Sequence, residues 1–256
     1  MAVLDKYRRA RPAEDWRTAP TWEDAPMTVQ LYDLVGRDTA RPFSPHCWKA
    51  RMALAHKGLD TNTIPTRFLD VPKVEEGFSK TIPVIRDGDT VVADSYAIAV
   101  YLDETYPDRP TLFGGEGGKA MARFIERWSQ LTIHPYVTSV AIMDLHAMQD
   151  ETNAAYFREN REQRFGKRLE EVMAPRDAGL AAFRASLEPL RSTLGYQPFI
   201  GGAAPLFADY IVFGALQWAR IASPYRLLDD GDVIAQWFAR CLDLHGGLGR
   251  TVAAAA

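Results

Sequence analysis

Apolar positions alternate between residues 29 and 35: Val29, Leu31 and Val35 share one face, with Asp33 the polar exception in the same register. Period two predicts a half-buried strand. After a polar stretch at 37–42 the spacing becomes helical. Trp48, Met52 and Ala55 form one stripe with Leu54 beside it. Ser44-Pro45 stands where a cap and a first helical residue belong, and Lys57-Gly58 closes the helix with a cation and a glycine. Residues 61–66 read as a second strand, and 67–80 as an irregular, charged connection. The run 81–85 is short and apolar but contains Pro83. Asp87-Gly88 predicts a hairpin turn, with 90–93 as the partner strand. Asp94-Ser95 then opens a helix carrying Ile98, Leu102 and Tyr106, stopped at Pro107.

The order is strand, helix, strand, loop, strand, strand, helix, which is the order of an α/β thioredoxin-like domain. The glycines at 114, 115, 117 and 118 predict a flexible joint. Beyond it only helical periodicity is seen, at about 119–148, 151–173, 176–194, 208–222 and 232–244. Trp128, Leu131, Phe157, Leu169, Leu187, Leu190, Trp218 and Trp237 are its expected core. The expected division is an extension at 1–26, a thioredoxin-like domain at 27–112, a glycine-rich linker at 113–118 and an all-α domain at 119–256. The extension carries Arg8, Arg9, Arg11 and three prolines but few aliphatics, so it predicts an arm with little to bury. Met27 is a candidate native start.

Composition narrows the functional classes. The chain has 256 residues, 47% hydrophobic and 25% charged, with a formal charge of −3. These values fit a globular protein, and no basic stripe points to nucleic acid. No apolar run approaches the ~20 residues of a membrane span, and the N-terminus has no apolar core of a secretory signal. Cys47 and Cys241 match no metal spacing and are expected as reduced thiols in a cytoplasmic protein.

Three short features could carry chemistry. Ser44 sits where the first strand's loop meets the first helix. Free N–H groups and a partial positive charge at a helix N-terminus favour a thiolate, and a hydroxyl there can donate to one. Ser44 also excludes Cys-x-x-Cys disulfide exchange. Pro83 within an apolar strand is explained by a cis peptide, which would present the Val84 N–H and C=O to a peptide-like ligand. Asp94 and Ser95 can divide the amine and the carboxylate of an α-amino acid between them. Each feature also has a plain structural reading: a cap, a trans proline on an edge strand, a capping pair. Together, in this order, they match the parts of a glutathione site: thiol at Ser44, cysteinyl backbone at Pro83-Val84, γ-glutamyl end at Asp94 and Ser95. His46, which could face the cleft, and Lys80, against the alternative of a solvated lysine, are further candidates for a ligand carboxylate. His134, Tyr136, Met143, His146 and Met148 recur along the long helix of the second half, where one or two could line an aromatic pocket.

On these residues the chain resembles the glutathione transferases across about 27–250. Phe207-Ala208-Asp209-Tyr210, after Gly201-Gly202 and Pro205, is similar to the family's second-domain folding motif. Leu206 stands where that motif normally has a capping hydroxyl or amide, so half of the box is missing. A narrower similarity is to the bacterial β-etherases that cleave lignin-derived aryl ethers, and to related fungal transferases. It rests on Ser44-Pro45 with Trp48, His56-Lys57-Gly58, Tyr106-Pro107-Asp108-Arg109-Pro110 and Gly247-Leu248-Gly249-Arg250. The resemblance implies an enzyme using glutathione as co-substrate, a small aromatic or apolar electrophile, no nucleic acid or membrane partner, no metal, and a homodimer. The competing class is a non-catalytic binding module of the same fold, for which the missing cap at Leu206 and the unusual arm at 1–26 speak.

Overall fold

A computed structural model describes residues 7–10 and 28–255. A mixed sheet is built from β1 (Arg8–Ala10), β2 (Val29–Leu34), β3 (Thr61–Thr66), β4 (Val84–Asp87) and β5 (Thr90–Ala93), in the order β1-β5-β4-β2-β3. β2 and β3 are parallel, and the other neighbours are antiparallel. The parallel pair is joined through α1 (Pro45–His56), and α2 (Ser95–Thr105) follows the hairpin β4–β5. Together these make the thioredoxin-like half.

The expected extension at 1–26 is not wholly an arm. Arg8–Ala10 adds an edge strand to β5, with Arg9 opposite Val91. Arg9 reaches the Glu75 carbonyl oxygen and lies over the Phe78 ring, while Arg8 lies over the Tyr101 ring. Two stacked guanidiniums and a short ladder supply what the aliphatic-poor sequence lacks. The candidate start at Met27 lies outside the described residues.

The helical half runs α3 (Glu116–Ala147), α4 (Glu151–Phe165), α5 (Leu169–Met173), α6 (Arg176–Ser186), α7 (Glu188–Tyr196), α8 (Phe207–Ala222) and α9 (Val233–Gly247). The predicted joint is shorter than expected. Gly114 and Gly115 have positive φ, but Gly117 and Gly118 already belong to α3. Of the expected core, Phe157, Leu169, Leu187, Leu190 and Trp237 are buried. Leu131 is not: it is 72% exposed, in line with Met121 at 53% and Phe124 at 65% along α3. An apolar stripe predicts a buried face but not what covers it.

The start of α8 answers the missing cap. Leu206 has no side-chain acceptor, and the Asp209 carboxylate serves the whole corner. It accepts from the main-chain N–H of Ile200 (2.7 Å), Gly201 (2.9 Å) and Leu206 (3.0 Å), and from Trp237 Nε1 (2.9 Å). α8 then packs against both α1 and α3. Gly214 sits where any Cβ would overlap the Pro45 carbonyl oxygen. Close approach of α8 to the first turn of α1 thus requires glycine. No helix among the described residues is long and apolar enough to cross a membrane.

Candidate active site

Ser44 caps α1 from an extended conformation (φ −63°, ψ 125°). Its Oγ accepts from the Cys47 N–H at 3.3 Å, and its carbonyl oxygen accepts from Trp48 N–H at 3.0 Å. Among the described residues no oxygen or nitrogen takes the hydroxyl hydrogen, and the buried Cys47 thiol, a weak acceptor, is the side chain it bears on. A cap uses the oxygen's lone pair and leaves the O–H free, so capping and thiol activation do not compete. Proline at the first position contributes no N–H, and the His46 N–H in the first turn has no acceptor among the described residues.

Cys47 is a core residue. It is fully buried, its Sγ lies 3.9 Å from the Tyr32 carbonyl oxygen, and burial beside the Asp33 carboxylate pushes its thiol well up. It stays protonated and inert. Cys241 is likewise buried and free. Asp33, the exception in the strand pattern, is fully buried 3.4 Å from Arg51, and burial raises its carboxyl to about 6.

The Ile82–Pro83 bond is cis. Val84 lies opposite Tyr32 on one side and Ala93 on the other, and is fully buried. Its main chain therefore belongs to the sheet. The Pro83 carbonyl oxygen is also taken, by the Asp94 N–H at 3.3 Å. The free main chain lies on the other side of the cis bond, at Ile82, half-buried and outside every strand, with no hydrogen bond on its N–H or C=O among the described residues. A strand's apolar run does not show where its ladder begins, so the sequence pointed to Val84 where the unpaired main chain is at Ile82.

Asp94 adopts φ 73°, ψ 127°, a region L-residues seldom occupy. Such strain collects at functional sites. One carboxylate oxygen, Oδ1, accepts from Tyr96 N–H and Ala97 N–H, both at 3.0 Å. The other, Oδ2, is left over. Ser95 is buried at the first position of α2, and neither its N–H nor its Oγ is bonded among the described residues. Ser44, Ile82 and the Asp94–Ser95 corner thus offer, in chain order, an O–H donor, a peptide edge, and an acceptor beside two donors.

Lys80 is exposed and has no polar partner among the described residues. His46 turns toward the helical half, where its ring stacks on His134 of α3, centroids 5.2 Å apart. Its Nδ1 is 3.2 Å from Lys49 Nζ. Lys49 is fully buried with Glu126 at 3.6 Å, and Arg123 closes the cluster on Glu126 at 2.6 Å. Burial lowers the Lys49 ammonium below its ordinary value, against the pull of Glu126. The sequence shows a lysine and a glutamate each interrupting an apolar helix face, but not that the two faces meet. No group of three or more metal-ligating side chains is found among the described residues.

Comparison with known proteins follows the same outline. Residues 43–105 match the model of the glutathione S-transferase N-terminal domain, and residues 120–244 match that of the C-terminal domain. The glutathione S-transferase-like protein ustS of Aspergillus flavus is 29% identical over 71% of this chain and 75% of its own length. Glutathione S-transferase Z1 of Arabidopsis thaliana is 45% identical over 25% of this chain and 31% of its own length. The glutathione transferase GSTFuA3 of Phanerochaete chrysosporium superimposes with a TM-score of 0.71 at 26% identity, over 89% of this chain and 95% of that one. A glutathione S-transferase of Ceriporiopsis subvermispora, solved in complex with glutathione, has a TM-score of 0.69 at 24% identity over 88% and 94%. With both domain models matched in order and the α/β and helical halves both built, the chain belongs to the glutathione S-transferase superfamily.

Proposed function

We propose that the protein is a glutathione transferase in which Ser44 stabilises the glutathione thiolate. The observation that carries this reading is the unspent Ser44 O–H at the N-terminus of α1. A hydrogen bond to the charged form, together with the helix end, lowers a thiol's pKa. A drop of roughly two units from ~8.5 makes the thiolate abundant at neutral pH. The cysteinyl peptide pairs with the free main chain of Ile82, and the γ-glutamyl ammonium and carboxylate lie at Asp94 and Ser95. Lys80 remains the candidate for the glycyl carboxylate.

The thiolate attacks an electrophilic carbon of an aromatic substrate in the cleft between the halves. With a β-aryl ether the C–S bond forms as the C–O bond breaks, next to a carbonyl, and the phenolate leaves and takes a proton from solvent. Support for β-etherase chemistry is the local similarity around Ser44, Tyr106 to Pro110 and Gly247 to Arg250. The test is retention on immobilised glutathione, followed by product analysis with a halogenated aromatic and a model β-aryl ether. Thioether products confirm a transferase. Binding without conjugation favours a glutathione-binding module, and neither binding nor conjugation overturns the reading. The missing cap no longer favours a module, because Asp209 satisfies that corner alone.

The exposed line Met121, Phe124 and Leu131 on α3, with half-buried Trp128 between, supports a second copy of the chain as its cover. Phe124→Glu places a charge in that line and is expected to shift a dimer to monomer in sedimentation measurements. A wild-type monomer, or a dimer unchanged by the substitution, would remove this assignment.

A further inference from the structure

His46 and His134 make an imidazole pair within one turn of Ser44, on the side of α1 that meets the helical half. Their rings are stacked at 5.2 Å with 28° between planes, and Trp218 of α8 lies 5.8 Å from His134. Lys49 fixes the chemistry of the pair. An ammonium only donates, so at 3.2 Å the His46 Nδ1 must accept. A neutral ring accepting at Nδ1 carries its proton on Nε2. Lys49 has no freedom to release this grip, being fully buried and held by Glu126. Burial, then the charges of Lys49, His134 and Arg164, hold His46 well below the ordinary imidazole value, and burial and Lys49 bring His134 to about 3. Both rings are neutral.

The His46 Nε2–H reaches no acceptor among the described residues. His134 Nε2 is buried and also has no partner. A buried polar atom left unpaired is costly, so the orphaned His134 Nε2, stacked against a His46 donor with no protein acceptor among the described residues, calls for a ligand that uses both. The neighbouring cations, Lys49 and Arg164, set a positive potential that favours an electron-rich oxygen.

We propose that the His46–His134 pair binds an oxygen of the electrophilic substrate, a carbonyl or ether oxygen next to the carbon under attack, with His46 donating its Nε2–H and Lys49 as the residue that positions it. This rests on the transferase reading. As the C–S bond forms and the C–O bond breaks, negative charge gathers on oxygen. A preset N–H donor stabilises that charge without transferring its proton. Trp218 closes the same wall with an apolar face.

The test compares kcat/KM for an aryl ether α to a ketone with that for a benzyl halide, which carries no oxygen, at saturating glutathione. His46→Phe is expected to lower the ratio of the two at least tenfold, chiefly through kcat. His46→Gln places an amide N–H where Nε2–H was and is expected to restore the ratio to within about threefold. His134→Phe lowers the ratio as well. Ring ¹⁵N spectra of the wild type should show Nε2 as the protonated nitrogen of His46. An unchanged ratio in both Phe variants, or protonation at Nδ1, overturns the proposal and leaves the transferase reading standing. A ratio held constant while glutathione binding weakens tenfold puts His46 on the glutathione carboxylate instead, and also overturns it. A wild type that conjugates neither electrophile removes the transferase reading, and this proposal with it.

Discussion

At the residue scale, the proposed function gives Ser44 a second task beside its cap, carried by a different atom. The lone pair of Oγ caps α1 through the Cys47 N–H, and the O–H stays free. Ser44→Ala should therefore show two separable losses. The cap is worth ~1 kcal/mol of stability, measurable by urea unfolding. The donor to the thiolate is worth roughly a hundredfold in kcat, by analogy with other preset donors to developing charge. A variant that loses the cap energy but keeps kcat would leave Ser44 structural. The cap at Ser44, the cis bond at Pro83 and the cap at Asp94 were legible in the sequence because caps and odd prolines are local signals. The unpaired main chain at Ile82 was not, since it depends on where β4 begins to pair. Lys49, Glu126 and the His46–His134 stack depend on which helix faces meet, and spacing along one helix does not report that.

At the element scale, the position of α1 depends on α8. Gly214 allows the two helices to touch at the Pro45 carbonyl. Gly214→Ala should cost about 1–3 kcal/mol by overpacking, and should reduce turnover because the first turn of α1 must shift. Full stability with full activity would show that α8 yields instead. Asp209 anchors the other end of α8 with two oxygens and four N–H donors. Asp209→Asn turns an NH2 toward either Ile200 and Trp237 or Gly201 and Leu206, leaving two buried donors opposed. A loss of roughly 2–5 kcal/mol is expected in urea unfolding, and a loss under 1 kcal/mol would contradict this role. The expected runs 151–173 and 176–194 each divide in two, at Gly166 and at Leu187, but the hairpin and the helix positions were readable from turn residues and periodicity. The start of α3 was not, because Gly117 and Gly118 are poor helix formers that tertiary packing holds in the helix.

At the scale of the whole molecule, all five histidines are held below the ordinary imidazole value, with burial the first cause in each case. His56 and His245 are joined through the Tyr210 hydroxyl at 2.7 and 3.0 Å, tying α1 to α8 and α9. A histidine with a lowered folded-state pKa binds its proton more readily when unfolded. Its stability contribution is complete above about 6.5 and is lost as pH falls; for His245, brought to about 4, the window is 6.5 to 4. Asp33, raised to about 6, and Asp209, also raised by burial, act in the opposite sense and favour folding as pH falls. Five groups outweigh two, so the urea midpoint should drop between pH 7 and pH 5. Each group contributes up to about 1.4 kcal/mol per pH unit, less where solvent reaches the ring. A flat or rising midpoint would contradict the neutral state of these rings.

The most direct test of Ser44 as the thiol-activating residue is the ultraviolet titration of the thiolate of bound glutathione, in the wild type and in Ser44→Ala. The wild type should ionise roughly two units below the ~8.5 of a free thiol, and Ser44→Ala should return the midpoint upward by at least one unit while glutathione remains bound. A wild-type midpoint near that of the free thiol, or the same midpoint in both proteins, would contradict the role assigned to Ser44.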